Sequence, residues 1–163
     1  TPHCKGPERS EEGNVHDVGT TSAFGRGRHW HGHIDPDREA ARLGTATREE
    51  EAIGIGTGMT LSNSPTIIYM QNAGFANSIS TITSLVKLYS IPLLFVIGWR
   101  GYLKNDAPEH ELVGKIQPKL LKLINLESRV VTDTNWKNNS KWALNKIQQQ
   151  IPCALIVRRM NVE

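Results

Sequence analysis

Three adjacent carboxylates, Glu49, Glu50 and Glu51, stand beside three glycines in the segment TREEEAIGIGTG at residues 47–58. A carboxylate that is shielded from water can hold or transfer a proton in general acid–base catalysis. An exposed acid in the first turn of a helix has only the weaker role of complementing the helix dipole. The chemistry of this segment therefore depends on which of the three side chains the fold buries.

Two further segments carry groups that bind or react, QNAGFAN at residues 71–77 and GWRGYLKNDAPEH at residues 98–110. Each follows an apolar run that is typical of a buried strand. In parallel α/β sheets the functional loops leave the carboxyl ends of the strands, and loops with this density of polar groups are more often functional than helices are. We therefore predict the functional site at this edge of the sheet.

The glycines of GIGTG at residues 54–58 also suggest a phosphate-binding loop. A dinucleotide-binding loop, however, follows a strand and opens a helix. Here the glycines follow REEEA inside a helix that has already begun, and no Walker lysine comes after them. We therefore reject the phosphate loop and interpret the glycines as positions where the helix backbone approaches a neighbour closely.

The composition excludes several classes of protein. With 163 residues, 38% hydrophobic and 21% charged residues, the chain is typical of a single soluble globular domain rather than a disordered protein. The net charge of +3 is not gathered into a basic stripe with interleaved aromatics, so we expect no nucleic-acid partner. The longest apolar run, at residues 91–99, is too short to span a bilayer, and no signal peptide is visible. Two cysteines without metal spacing are consistent with a reducing cytoplasm.

Apolar strands alternate with helices from about residue 46 onward. Thr47 is the predicted N-cap of the first helix. The helices are predicted at residues 49–61, 77–89, 113–124 and 137–150, and the strands at residues 66–70, 93–98, 128–131 and 153–158. Continuous apolar strands that alternate with helices predict a parallel sheet covered on both faces. We therefore predict an α/β fold, a three-layer sandwich with a mostly parallel sheet.

Several short motifs in this region resemble those of one enzyme family. They are the acidic helix start at Glu49, MQNAGFAN, Ser84-Leu85, GWRG at residues 98–101 and DAPEH at residues 106–110. In this order, over residues 46 to 163, the chain resembles the pyrimidine-binding domain of thiamine-diphosphate-dependent decarboxylases. The resemblance is to the alpha chain of sulfopyruvate decarboxylase and to the related phosphonopyruvate decarboxylases.

The resemblance implies a role for one of the three carboxylates. The family keeps a glutamate three residues before an alanine and nine before a glycine, and Glu49, with Ala52 and Gly58, has this spacing. In the family this glutamate hydrogen-bonds N1′ of the cofactor's aminopyrimidine and favours the imino tautomer, which removes the thiazolium C2 proton. Such a carboxylate is expected to be partly buried. The alternative for Glu49, and our interpretation of Glu50 and Glu51, is a solvated charge at a helix start.

The second motif implies further cofactor contacts. In QNAGFAN, the residues that match the family are Gln71, Asn72, Gly74 and Asn77, whereas Ala73, Phe75 and Ala76 replace the usual Ser, Leu and Gly. The matching residues are the predicted cofactor-binding residues, in a loop near the subunit interface. The alternative is an ordinary turn in which Asn77 caps the next helix.

The third segment provides two candidates for substrate contacts. His110 stands where related 2-oxo acid decarboxylases carry an active-site histidine, so it is a candidate to donate a proton or to contact the substrate's anionic tail. Arg100 is a candidate to bind a sulfonate or phosphonate, because its fork of N–H donors suits such oxyanions. The alternatives are a solvated histidine and a structural ion pair.

The resemblance also implies a partner chain. A complete thiamine enzyme needs a diphosphate-binding domain with Gly-Asp-Gly and a downstream Asn that hold a divalent metal, and this sequence contains no such motif. A beta subunit is therefore expected to supply the diphosphate contacts and the Mg²⁺ ion, in a hetero-oligomer with the active site between chains. Thiamine diphosphate is the expected cofactor, and a small 2-oxo acid, sulfopyruvate or phosphonopyruvate, is the expected substrate. No membrane partner is expected.

Residues 1–45 do not resemble the start of the family domain, which has a helix and a first parallel strand. We predict an irregular N-terminal segment there and the pyrimidine-binding domain at residues 46–163. His29, His31 and His33 alternate, so an extended strand would place them on one face, but no fourth metal ligand has suitable spacing. The atypical start and the AGFA replacements leave a second hypothesis open, a noncatalytic binding subunit that kept the fold.

Overall fold

The computed structural model describes residues 45–102 and 106–158. The predictions for the N-terminal segment, including the three alternating histidines, therefore lie outside the described residues. The domain boundary near residue 46 stays a prediction for the same reason.

A four-stranded parallel sheet forms the centre of the domain. Its strands are β1 (Ile67–Gln71), β2 (Leu94–Trp99), β3 (Glu127–Val131) and β4 (Cys153–Arg158), in the spatial order β1-β2-β4-β3. The register places Gln71 opposite Gly98 and Trp99 opposite Arg158, so the carboxyl ends of these three strands meet at one edge. The predicted α/β class and parallel sheet are confirmed.

Helices precede or connect the strands. They are α1 (Glu49–Leu61), α2 (Asn72–Asn77), the single turn α3 (Ile79–Thr81), which continues as a π-helical turn over Ile82–Lys87, α4 (Pro108–Leu123) and α5 (Trp136–Gln148). The helix α4 begins at Pro108 rather than at residue 113 as predicted, because proline needs no N–H partner in the first turn and Glu109 and Glu111 complement the dipole there.

The prediction of a loop for the segment QNAGFAN is wrong. Gln71 ends β1, and Asn72 already begins α2, so the chain passes from strand to helix without an intervening turn. Asn77 is the exposed last residue of α2 and does not cap the next turn, which starts after Ser78 without a side-chain cap. Asn and Gly favour loops in isolation, but tertiary packing overrides such weak local preferences.

The sheet separates two apolar clusters. On one face, α1, α2, the π-helical turn and α4 cover alternate strand residues such as Met70, Phe95 and Ile156. On the other face, α5 packs Ala143 against Leu94, Cys153 and Leu155. This alternation of buried strand residues gives the three layers that continuous apolar strands predict.

Each helix that leads into a strand ends in a similar turn. The residues after the helices with positive φ are Asn63, Ser90, Asn125 and Gln150, with φ between 52° and 60°. The N–H of the residue that follows each of them donates to a carbonyl five positions earlier, as in Leu126 to Leu121 at 3.0 Å. This left-handed turn satisfies helix-end carbonyls and directs the chain back to the sheet.

No helix among the described residues is long and apolar enough to cross a membrane.

Cys153 lies at the start of β4 and is fully buried. Burial, and secondarily the carboxylate of Glu127, raise the pKa of the Cys153 thiol to about 12, while Lys146 acts weakly in the opposite direction. Its Sγ lies 3.8 Å from the carbonyl oxygen of Ala143. The thiol is therefore a packing group and not a nucleophile.

We predict that Cys153 does not react with thiol reagents in the folded chain. The Cys4→Ser variant leaves Cys153 as the single thiol, and its reaction with a chromogenic disulfide at pH 8 should become fast only after denaturant is added. Stoichiometric reaction within minutes in native buffer would contradict the buried position.

Candidate functional site

Only one of the three adjacent carboxylates is buried. Glu49, the first residue of α1, is 7% exposed, whereas Glu51 is exposed and Glu50 lies 3.7 Å from Arg48 in a surface ion pair. The N-cap is Arg48 and not Thr47 as predicted, and the cap interaction is reversed, because the carboxylate of Glu51 accepts the N–H of Thr47 at 3.1 Å. Glu51 is thus more than the simply solvated charge that we had predicted.

Glu49 is buried because α2 lies directly on it. A Cβ atom built on Gly74 would overlap the carboxylate of Glu49. Gly74 is itself buried in the middle of α2. The first and second motifs, 25 positions apart at these two residues, therefore meet in the fold, and the absence of a side chain at Gly74 makes the contact possible.

Asn72 joins the start of α2 to the end of β2. Its side chain is fully buried, and Nδ2 donates to the carbonyl oxygen of Arg100 at 2.8 Å. Its Oδ1 and the Oγ of Ser78, at the other end of α2, are both buried without a hydrogen-bond partner. An unsatisfied buried acceptor costs about 1–3 kcal/mol, so the Oδ1 of Asn72 is a position where a donor from a ligand would stabilise the fold.

Asp106 organises the connection between β2 and α4. The guanidinium of Arg100 donates to it from Nε at 3.1 Å and from Nη2 at 2.8 Å, and the backbone N–H groups of Gly101 and Ala107 donate at 2.7 and 2.9 Å. The hydrogen bonds from the Arg100 side chain, and then those from the two backbone groups, hold the pKa of Asp106 far below its usual range, although burial opposes them. The structural ion pair that we left open for Arg100 is therefore present.

His110 lies in the first turn of α4, half-buried. Gly101 has φ of 70°, and a Cβ on it would overlap the carbonyl of His110. Trp99 fixes the same region, because its Nε1–H donates to the carbonyl oxygen of Gly114 at 2.9 Å. The end of β2 is thus packed tightly against the start of α4. This close approach and the positive φ require glycine at position 101.

The structure brings together some predicted site residues and separates others. Glu49 contacts Gly74, and Asn72 bonds to Arg100. Within the part of the chain that the structure describes, no hydrogen bond or ion pair connects Glu49 with His110. Gln71 is half-buried at the end of β1, and Asn77 is exposed at the far end of α2.

Asp106 is the contact that sequence analysis missed. Asp106 lies one position before the N-cap Ala107, so the capping pattern of a helix start does not identify it, and no feature of the sequence indicates its pairing with Arg100. Among the described residues, no group of three or more His, Cys, Asp or Glu side chains is placed to hold a metal ion.

The glycines of α1 fall into two groups. Gly56 is buried, whereas Gly54 and Gly58 are exposed, and a Cβ built on either would meet no atom within 4 Å. Our interpretation that all these glycines approach a neighbour in this chain is therefore wrong for Gly54 and Gly58. These two glycines and the neighbouring Ile55, which is 45% exposed, form a face that we call the open face of α1.

A parallel α/β domain with a buried carboxylate beside the carboxyl edge of its sheet is thus the class of structure that the chain defines. No family model matches the chain. It is 39% identical over 94 residues to the sulfopyruvate decarboxylase subunit alpha of Methanococcus maripaludis, an alignment that covers 58% of this chain and 56% of the relative. It is 46% identical over 88 residues to the subunit of the same name from Methanocaldococcus jannaschii, covering 54% and 52%.

A longer relative is the phosphonopyruvate decarboxylase of Streptomyces viridochromogenes, which is 34% identical over 96 residues, covering 58% of this chain and 24% of the relative. The resemblance to sulfopyruvate decarboxylase alpha subunits and phosphonopyruvate decarboxylases is therefore confirmed. The chain spans about half the length of the alpha subunits that it matches.

The contact between Glu49 and Gly74 predicts opposite effects for two glycine-to-alanine changes. Alanine favours a helix over glycine by about 1 kcal/mol. Gly58→Ala, on the open face of α1, should therefore raise the free energy of unfolding by up to about 1 kcal/mol. Gly74→Ala should lower it, because Cβ would displace a buried carboxylate. Urea unfolding measures both, and equal stabilisation by the two changes would contradict the contact.

Asp106→Asn should lower the free energy of unfolding by about 1–3 kcal/mol at pH 7, because it removes the charge from a buried acceptor of Arg100 and two backbone N–H groups. A carboxylate with a depressed folded pKa stabilises the fold above its unfolded pKa, and this stabilisation is lost as the pH falls towards the folded value. The difference between wild type and variant should therefore shrink below about pH 4.

Glu111→Gln is the matched control for this measurement. Glu111 pairs with Lys115 at 3.2 Å, but both side chains are exposed, so the change should cost about 0–0.5 kcal/mol. A pH-independent difference for Asp106→Asn, or an equal loss for Glu111→Gln, would show that Asp106 is not the organising group.

Proposed function

We propose that this chain is the pyrimidine-binding part of a thiamine-diphosphate-dependent 2-oxo acid decarboxylase, acting on sulfopyruvate or phosphonopyruvate and releasing the aldehyde and carbon dioxide. The observation that carries the proposal is the burial of Glu49 against Gly74, in the two segments whose motifs match the family. The names of the relatives support the reaction type, since each is called a decarboxylase.

The residues present fit the aminopyrimidine of thiamine diphosphate. The carboxylate of Glu49 forms no hydrogen bond or ion pair within the described residues, and the Oδ1 of Asn72 is a buried acceptor without a donor. The amino group of an aminopyrimidine can donate to an acceptor such as Oδ1, and its ring nitrogen can share a proton with a carboxyl group such as that of Glu49. Glu49 and Asn72 would hold the ring, Gly74 would leave room beside the carboxylate, and Gln71 and Asn77 remain predicted contacts from the two ends of the segment.

Glu49 has the central chemical role in this proposal. Its carboxylate would hold a proton against the ring nitrogen, and its burial keeps water from competing for that proton. The cofactor, when bound, would supply the electron sink for the bonding electrons that remain on the substrate when carbon dioxide leaves. His110, in the first turn of α4, is the proposed donor of a proton to the product or a contact for the substrate's anionic tail.

We propose a beta subunit as the partner that completes the site. The described residues contain no cluster that could hold the Mg²⁺ ion, and two relatives are named as alpha subunits. The open face of α1 supports a packed partner, because an exposed apolar face of a helix is often covered, and exposed glycines allow close approach of another backbone. The face lies on the same helix as Glu49 but on its opposite side, so a partner there would contact the helix that carries Glu49.

A guanidinium at the carboxyl edge of the sheet suits the sulfonate or phosphonate of the substrate. Arg100 is the predicted group. Its orientation is set by Asp106, to which it donates two hydrogen bonds, so it would bind an oxyanion as part of an ion-pair network and not as a lone charge.

Glu49→Gln tests the proposed function in the complex with a co-expressed beta subunit. Glutamine keeps the size of the side chain but cannot supply the proton, so carbon dioxide release from either substrate should fall by about 10²- to 10⁴-fold. Bound cofactor, measured after gel filtration, should fall much less.

Glu50→Gln and Glu51→Gln are the matched controls, because each removes one of the neighbouring charges that α2 does not cover. Each should change the rate little, since such charges contribute below about 1 kcal/mol. Equal losses for all three variants would contradict the role of Glu49. A fully active Glu49→Gln complex would contradict the cofactor assignment, and a wild-type complex that releases no carbon dioxide would favour the noncatalytic subunit.

A further inference from the structure

Arg158 is the last residue of β4 and pairs in register with Trp99 at the end of β2. Its guanidinium lies 4.4 Å from the ring centroid of Tyr102 and 5.3 Å from that of Trp99. Two aromatic faces therefore hold one cation, an arrangement that orients a guanidinium without using its N–H donors.

The aromatic cradle is itself fixed. The rings of Trp99 and Tyr102 are 5.0 Å apart and tilted by 49°. The Nε1–H of Trp99 donates to the carbonyl oxygen of Gly114 in α4. The sheet register and the contact of Trp99 with α4 therefore fix the position of the Arg158 guanidinium.

The two arginines at this edge differ in how their charge is balanced. Arg100 donates to the carboxylate of Asp106. Arg158 is half-buried, no carboxylate of the described residues pairs with it, and its Nε is buried without a hydrogen-bond partner. A buried donor on a cation is costly when it has no acceptor, so the cradle is suited to an anion that is not part of the described chain.

We propose that Arg158, in addition to the predicted Arg100, binds the tetrahedral oxyanion, sulfonate or phosphonate, of the substrate. This inference rests on the proposed function and makes Arg158 a specificity-determining group of the same site. Arg158 and Trp99 project from the sheet face that α1, α2 and α4 cover, the face on which Glu49 is buried. The planar fork of N–H donors of Arg158 matches two oxygens of such a group, whereas the guanidinium of Arg100 is held by its ion pair with Asp106.

The first test measures anion binding by the full chain and does not need the enzymatic reaction. Methylphosphonate and methanesulfonate are titrated at constant ionic strength, with chloride as the reference, while NMR follows the Nε–H of Arg158 and the indole N–H of Trp99. We expect saturable shifts of both signals with the two tetrahedral anions and not with chloride. Absence of saturation, or equal shifts with chloride, would overturn the proposal.

Arg129 on β3 provides a matched control. Its guanidinium also lies over a tryptophan, 4.6 Å from the ring centroid of Trp142. Arg158→Gln should abolish the saturable shift of Trp99, whereas Arg129→Gln should leave it. Arg158→Lys keeps the charge but not the fork, and it should weaken binding without changing the chemical shifts of core residues. Equal losses in the Arg129 and Arg158 variants would mean that only net charge matters and would overturn the proposal.

The second test uses the complex with the beta subunit. Arg158→Gln should raise the KM for sulfopyruvate or phosphonopyruvate by about 10- to 100-fold, the range of a charged hydrogen-bonded pair. The preference for these substrates over pyruvate, which lacks the tetrahedral group, should fall by a similar factor. A lower kcat with an unchanged preference would indicate a purely structural role and overturn the proposal. A complex that decarboxylates none of these acids would reject the proposed function, while the titration still decides whether Arg158 binds the oxyanion.

Discussion

The contact between the carboxylate of Glu49 and the backbone of Gly74 is the constraint on which the rest of the site depends. A side chain at position 74 would occupy the place of the carboxylate. Because α2 follows β1 directly, the sheet fixes the position of α2. The side chain of Glu49, the first residue of α1, is buried where α1 meets α2 at Gly74. The helix start favours a negative charge, but its dipole alone is worth under about 1 kcal/mol at an exposed site. Burial of this one acid therefore reflects packing, which explains why its two neighbours remain nearer the surface.

The opposite side of the site is organised by Asp106. One carboxylate accepts from the side chain of Arg100 and from the backbone on both sides of the β2–α4 connection. These bonds set the direction in which α4 leaves the sheet and thereby the position of His110. The carbonyl of Arg100 in turn accepts from Asn72, so the end of β2 is tied to α2 and to α4 at once. The carboxyl edge is consequently one connected hydrogen-bonded unit.

The fold could be predicted from the sequence because it follows from repeated apolar patterns. The limits of α1 and β4 agree with prediction, since a strong pattern and clear boundaries coincide there. The start of α2 could not be predicted, because Asn72 and Gly74 have loop preferences and only their contacts with Arg100 and Glu49 favour a helix. The family motif singled out Glu49 from the three adjacent glutamates as the candidate catalytic residue. Arg158 carried no motif, and its importance becomes visible only when the register places it opposite Trp99 and beside Tyr102.

The groups that the described chain leaves unsatisfied lie on one side of the sheet. Four of these atoms lie on or next to α2 and α4. They are the Oδ1 of Asn72 in α2, the Oγ of Ser78 between α2 and α3, and both side-chain amide atoms of Gln117 in α4. Native proteins contain few such atoms, and each has an energetic cost. The opposite face, covered by α5, contributes none of them. Within the described residues, unmet donors and acceptors are therefore concentrated on the side of the sheet where Glu49 is buried. This distribution supports the proposal that a ligand binds at this side.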